Sequence, residues 1–493
     1  MSATIIPFQV HLPQALPTIE GNVDYRDWRD NLLHIDHLLR DSGLEAQLVE
    51  SDLQRWLAQH TKVSGRVQQN HQLHSSRALR CNIARQLMAE DFRGFAARLA
   101  DSPVLQFFCS LNQLGSVKVP SKSTLQRYDA WWKETEVREV IHQLLIQGAD
   151  HPEKLPLPQA VDLESAFLDT TCLAANIHYP VDWVLFRDAT RTLMKAVRLI
   201  RDQGLKHRMD EPETFLTRIN RLCIEMTHAG HKTDFRRARK KIFRQIDNLV
   251  SLVRNHARRY RDLLDQNWQQ TDWTRPQAQL VLKHMDQVLD QLPKARKQAR
   301  QRILEEKPVA NEDKILSLYE PDVRVIVRKK AGAEVEFGNT FFLAENPQGL
   351  IIDWEFFPEQ APADSILLPR SVGRMDRAYG LRLKAATGDR GFDSHTNRVG
   401  LASEGIYNGV CPRSPEELKE RGRSWKFKRL QRRRGQTEGR IGIIKNVFLG
   451  GCLRGKGFAH RQLTVTWTVL THNLWVLARM RRAAVVQPQA QAA

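Results

Sequence analysis

The chain has 493 residues, enough for roughly two to four structural units, and 41% of them are hydrophobic, so a sizeable core is available. Lys plus Arg number 75 against 56 Asp plus Glu, a formal charge of +19; such an excess suits a polyanionic partner, nucleic acid first, with an incidentally basic surface as the plainer reading. The six cysteines form no CxxC pair and no Cys/His set with zinc spacing, which argues against a zinc site and for reduced thiols.

Taken in chain order, the N-terminus has no basic stretch followed by an apolar one, so no secretory signal is expected. Residues 1–155 read as an all-helical domain. Leu32, Leu33, Ile35, Leu38 and Leu39 recur at helical spacing, and so do Leu79, Ile83, Leu87 and Met88. Pro120-Ser121-Lys122-Ser123 reads as a loop and cap before a helix from Thr124 to about Glu136. That helix suits either a helix-turn-helix or ordinary packing. Leu155-Pro156-Leu157-Pro158 reads as a linker. A buried strand, Ser165–Cys172, then carries Asp169.

A helical block follows, from about 186 to 312. Its long helix opens with Arg236, Arg237, Arg239, Lys240 and Lys241, either a solvated face or a DNA contact. Strand periodicity starts after Leu316, with strands predicted at Val323–Val327, Glu334–Glu345 and Leu350–Phe357. A helix over Ser365–Tyr379 precedes a strand, Leu383–Thr387, that delivers Asp389, and Ile406–Val410 is a further strand. A basic helix from about Ser424 to Val447 carries Glu438. The apolar stretch Gln462–Met480 contains Thr464, Thr466, Thr468, Thr471, His472 and Asn473, too polar for a membrane span, so a buried helix is expected. The Ala/Gln/Pro end, residues 485–493, is expected to be disordered.

Asp169, Asp389 and Glu438 stand out as acids at strand ends and on an adjoining helix. Three hard carboxylates without His or Cys partners suit Mg²⁺ or Mn²⁺. A pair of such ions activates a water or 3′-hydroxyl and stabilises the leaving oxygen at a phosphate. On a regular helix Arg434, Glu438 and Lys445 share one face, which places a carboxylate inside a cationic stripe; an Arg434–Glu438 salt bridge on a solvated face is the plainer alternative.

The stretch Arg434-Gly-Gln-Thr-Glu438-Gly-Arg-Ile-Gly-Ile-Ile-Lys445 resembles the Tyr–Arg–Glu–Lys signature of bacterial insertion-sequence transposases of the DDE kind. Gln431 stands where the signature has Tyr. The segments Leu168–Asp182 and Gly388–Ser394 resemble the family's first and second acid regions. The resemblance implies an α/β, RNase H-like mixed sheet flanked by helices over residues 160–484, with the all-α domain before it. The helical block becomes an insertion between the first and second acids. It also implies that Asp169, Asp389 and Glu438 are catalytic metal ligands for Mg²⁺ or Mn²⁺, and that Arg434 and Lys445 contact end phosphates, with Arg433 and Arg440 of the same helix as further DNA contacts. The activity implied is cleavage at transposon ends and joining of the 3′-hydroxyl to target DNA. The partners implied are terminal inverted repeats, target DNA and a second protomer on paired ends, in the bacterial cytoplasm at the nucleoid, with no membrane. The alternatives are a catalytically silent, transposase-derived DNA-binding protein or repressor, and a nuclease of the same fold that never joins strands.

Other signals carry less. Gly450–Gly457 approaches a P-loop but ends in Gly where Ser or Thr should reach a metal, so a tight basic turn is the better reading. His178 is read as structural, and Asp182, Asp188 and Asp393 as caps or supports. Trp183, Trp425 and Trp467 are candidates for base stacking, with core packing preferred for Trp467.

Overall fold

The computed structural model describes residues 16–491, except 61–62, 114–115, 232–233, 331–332 and 381. Its first part is helical: α1 (Val23–Asp41), α2 (Leu44–Leu57), α3 (Gly65–Met88), α4 (Phe92–Asp101) and α5 (Pro103–Phe108), a small hairpin β1 (Asn112–Gln113) and β2 (Ser116–Val117), then α6 (Lys122–Asp129) and α7 (Glu134–Asp150). Polar caps set several starts. Asn22 accepts the Asp24 N–H, Asp91 accepts those of Arg93 and Gly94, and Ser121 accepts that of Thr124. The predicted helix after Ser121 is therefore present, but it ends at Asp129 and a new one opens at Glu134. α6 buries Leu125 and Tyr128 against α3 and α4, which is ordinary helical packing.

The sheet is built on β3 (Ser165–Ala174). Between it and the next strand come four helices, α8 (Asp182–Asp202), α9 (Pro212–His228), α10 (Phe235–Asn267) and α11 (Arg275–Ala299). They enclose a core of their own around Phe186, Leu193, Phe215, Phe243, Val250, Tyr260, Met285 and Leu292. Then follow β4 (Arg324–Lys330), β5 (Ala333–Glu345), β6 (Ile351–Phe356), α12 (Asp364–Tyr379), β7 (Ala385–Thr387), α13 (His395–Ser403) and β8 (Tyr407–Asn408). α14 (Pro415–Arg421), α15 (Trp425–Ile443) and α16 (Phe458–Gln491) complete the chain. Of the 485–493 stretch expected to be disordered, residues 485–491 belong to α16, and 492–493 lie outside the described residues.

The strands form one mixed sheet. β5 runs antiparallel to β3, with Phe167 opposite Glu345 and Ala174 opposite Gly338. β4 and β6 lie end to end along the other edge of β5, both antiparallel to it. On its other side β3 is parallel to β7, and β7 is parallel to β8. Side chains alternate along a strand, so Phe167 and Asp169 share a face, while Thr170 and its partner Phe342 share the opposite one. α15 covers the first face, with the Arg433 guanidinium 4.8 Å from the Phe167 ring centre. α12 covers the second, with that of Arg374 5.7 Å from Phe342.

α16 joins the two halves. It packs against α1, α3 and α7 and also against β6. Its polar residues explain why the apolar stretch is not purely apolar. Asn473 accepts the Ile351 N–H and donates to the Ile351 carbonyl, both at 2.8 Å, and Trp467 Nε1 donates to the Asp129 carbonyl at 3.2 Å. The N-terminal helices and the sheet thus share one hydrophobic core. Leu155 and Leu157, expected in a linker, are buried in it. Among the described residues, no helix is long and apolar enough to cross a membrane.

Candidate active site

β3 places Asp169 on the face that α15 covers. The Thr170 N–H donates to its Oδ1 at 2.7 Å. On the parallel neighbour β7, Thr387 pairs with Phe167. Two residues further along stand Asp169, still within β3, and Asp389, just past the end of β7, close enough for the Asp389 charge to act on the Asp169 carboxyl. Asp389 is held by a cap. Its side chain accepts the Gly391 N–H at 2.8 Å and opens a 3₁₀ turn, Arg390–Phe392. Gly391 lets these carboxylates come close, since a Cβ there would lie 2.5 Å from Asp364 Oδ2 and 3.0 Å from Asp389 Oδ1 and would push them aside. Asp364, in the first turn of α12, is thus a further carboxylate at the site that sequence reasoning passed over.

Glu438 comes from α15 and is largely exposed, with Arg434 Nη1 3.6 Å from its Oε1. Burial raises the Asp169 carboxyl to a pKa of about 6. The Thr170 N–H and Arg434 oppose the rise, and the negative charges of Asp389 and Glu438 add to it. Two of the three acids singled out from the sequence, Asp389 and Glu438, therefore act electrostatically on the third, Asp169, and Arg434 acts on it too. Gln431, standing where the signature has Tyr, spans the strand ends. Its Nε2 donates to the Gly409 carbonyl at 2.6 Å and the Gly388 carbonyl at 3.3 Å, while its Oε1 accepts Arg434 Nε at 3.3 Å. It anchors α15 one residue before Asp389 and orients Arg434.

No family model matches this chain, and no curated protein or solved structure matches it.

The other candidate DNA contacts are placed differently. Arg433, Thr437 and Arg440 recur at i, i+4 and i+7 and point to a second face of α15. All three bind Glu345, the fully buried last residue of β5. Arg433 Nη1 reaches it at 2.7 Å, Thr437 Oγ1 at 2.8 Å and Arg440 Nε at 3.1 Å. Arg433 also donates to the carbonyls of Asn346 and Pro347. Arg440 packs over Gly349, a turn residue with φ +88° that would clash with it if it carried a Cβ. In this structure Arg433 and Arg440 fasten α15 to the β5–β6 turn. No pattern in the sequence marked Glu345, because only strand pairing brings β5 under this helix face. Lys445 sits in a π-helical turn, Ile444–Phe448, beyond the end of α15, so the spacing of a regular helix does not carry from Glu438 to it unchanged.

The lesser candidates have structural surroundings. Asp182 accepts from Gln298 and Arg302, and Asp393 from Arg398 and the Arg413 N–H. Asp188 lies 3.8 Å from Arg187, and His178 is exposed. Trp183 and Trp425 lie under the guanidiniums of Arg239 and Arg429, and Trp467 is buried. The Gly450–Gly457 run extends the sheet. Leu453 N–H donates to the Ala174 carbonyl at 2.8 Å, and the Asn176 N–H to that of Leu453 at 3.2 Å.

The donor set at the acids is all oxygen, the chemistry of Mg²⁺ and Mn²⁺ ligands. A carboxyl raised toward neutrality by burial and like charge is one that a cation would stabilise in its ionised form. Among the described residues no three His, Cys, Asp or Glu side chains are gathered closely enough to hold a metal as they stand, and Glu438 leans toward Arg434. Asp169 and Asp389 are the fixed part of the set, and Glu438 is the part with room to turn.

Proposed function

We propose that the chain is a DDE transposase, which cuts DNA at transposon ends and joins the 3′-hydroxyl to target DNA. The observation that carries this reading is the approach of Asp389, just past the end of β7, to Asp169 on the parallel neighbour β3, with Glu438 and Arg434 from α15 acting on the same carboxyl. The strand order supports it. β6, β5 and β3 are successive antiparallel neighbours and β3, β7 and β8 are parallel, the arrangement expected of an RNase H-like sheet with the insertion after its first strand. The net charge of +19 suits a DNA partner.

Asp169, Asp389 and Glu438 would hold the divalent ions. Mg²⁺ or Mn²⁺, when bound, supplies Lewis acidity and neutralises charge at the phosphate. The chain's own residues do the positioning. β3 and the Gly391 cap fix two carboxylates, Gln431 aims Arg434, and the Arg434 guanidinium offers a donor fork to a phosphate oxygen. In the first step water attacks phosphorus and the P–O3′ bond breaks, leaving a 3′-hydroxyl. In the second that hydroxyl attacks a phosphorus of target DNA, the new P–O bond forming as the target's own P–O3′ bond breaks and its 3′-oxygen leaves with a proton.

The test is cleavage and strand transfer with Mg²⁺ or Mn²⁺ on DNA carrying the repeats that flank the reading frame. Asp169→Asn, Asp389→Asn and Glu438→Gln should each remove several kcal/mol of catalysis, about 10³-fold in rate. Wild-type rates in any of the three would refute its assignment. Tight end binding by the wild type with no product under either metal would point instead to a silent DNA-binding protein.

A further inference from the structure

A cleft of about 590 Å³ lies between the N-terminal helices and the segment that joins α15 to α16. Arg93 of α4 and Lys122 of α6 line one wall, and Arg454 and Lys456 line the other. All four side chains are exposed, and among the described residues none forms an ion pair. Two acids, Glu90 and Asp91, line the same cleft, and the four cations outnumber them. Asp91 is committed to capping α4, accepting the N–H groups of Arg93 and Gly94 at 2.8 Å each. Below the cleft, Arg85 and His460 both hold the buried Asp129, which locks α3 and α16 together through α6.

The cleft is tied to the acids by the backbone. Leu453 lies beside the end of β3, in a parallel bridge with Ala175, and the Gly451 N–H donates to the Lys445 carbonyl at 2.9 Å. From Asp169 to Ala174 is roughly 17 Å at about 3.3 Å per residue. That is about five base pairs of duplex at about 3.4 Å each. Cations on two walls of an open trough suit a run of phosphates better than a single phosphate group, and the glycine turn lacks the Ser or Thr of a nucleotide loop.

We propose that this cleft is a docking track for the phosphate backbone of duplex DNA, with Arg93, Lys122, Arg454 and Lys456 as its contacts, holding the duplex about five base pairs from the acids. The proposal rests on the transposase reading and names a second place where the same substrate is gripped. Because phosphate contacts are independent of sequence, it can be tested without knowing the terminal repeats.

The experiment measures the affinity of the full chain for a duplex of about 30 base pairs and arbitrary sequence across a salt series. The variants are R93A/K122A and R454A/K456A, with R218A/R221A on α9 as an exposed control and circular dichroism to confirm folding. Each cleft pair should weaken binding and reduce the slope of log K against log salt by about 1.8, two contacts at about 0.9 each, while the control leaves it unchanged. Wild-type slopes in both folded cleft pairs would overturn the proposal and leave the catalytic reading intact. A wild type that binds no duplex would overturn both. Displacement of the duplex by micromolar ATP would mark the cleft as a nucleotide site and also overturn the proposal.

Discussion

Two arginines next to each other in sequence, Arg433 and Arg434, have different jobs because a helix turns about 100° between them. Arg433 joins Arg440 and Thr437 around Glu345, a carboxylate with no exposure. Arg434 lies beside Glu438 and acts on Asp169. Breaking a buried ion pair from one side leaves an uncompensated charge. Glu345→Gln should therefore lower unfolding free energy by about 3–5 kcal/mol, seen as an early midpoint in urea. Arg434→Ala should leave that midpoint nearly unchanged and reduce DNA cleavage instead. If Glu345→Gln unfolds like the wild type, the clamp contributes little and Arg433 and Arg440 are available for DNA. The sequence singled out Arg434 and Glu438 by spacing, and it grouped Arg433 and Arg440 with them because all four belong to one basic run. Only the position of β5 beneath the helix separates the two sets.

At the scale of elements, the strands were legible where they alternate or end at a marker. The predicted Glu334–Glu345 strand lies within β5, Ala333–Glu345, and the predicted Leu350–Phe357 covers β6. β7 and β8 are shorter than their apolar runs, because each pairs over only a few residues. α16 shows what a polar pattern in an apolar helix means. His472 is fully buried, and its pKa is lowered to about 3, chiefly by burial, with Arg440 adding to the effect and the hydrogen bond to Asn473 opposing it. A neutral histidine in the fold and an ordinary one in the unfolded chain have a definite sign. The unfolded state binds the proton first, so stability present above pH 6.5 is lost as pH falls from about 6.5 toward 3, at up to about 1.4 kcal/mol per pH unit. His472→Gln should flatten that part of the stability profile. An unchanged acid limb would show that other groups control it.

For the whole molecule, the decisive contact is the one α16 makes with both halves. Residues 1–155 read as a separate helical domain, yet α1, α3 and α7 pack on the same helix that hydrogen-bonds to β6, and Leu155 and Leu157 are part of the shared core. Removing residues 1–155 should strip one side of α16 and expose Trp467, Val469 and Leu470, leaving an aggregating or molten product rather than a folded sheet domain. A truncated chain with a cooperative unfolding transition would contradict this. The helical block is different. α8 to α11 bury a core of their own, so an internal deletion there should cost the sheet much less than the N-terminal truncation does.

The sequence by itself showed most of the sheet strands, the basic balance, a helical block after the first of them and three candidate acids. These depend on local periodicity, on composition and on spacing within one segment. The tertiary structure decided which of those residues meet. The pairing of Phe167 with Thr387 brings Asp389, just past β7, within electrostatic reach of Asp169, and the passage of β5 under α15 turns Glu345 into a clamp. The junction of α4, α6 and the loop before α16 makes a basic cleft from four cations scattered over some 360 positions. Such contacts are fixed by strand register and helix rotation between segments far apart in the chain, and no window of sequence contains both partners.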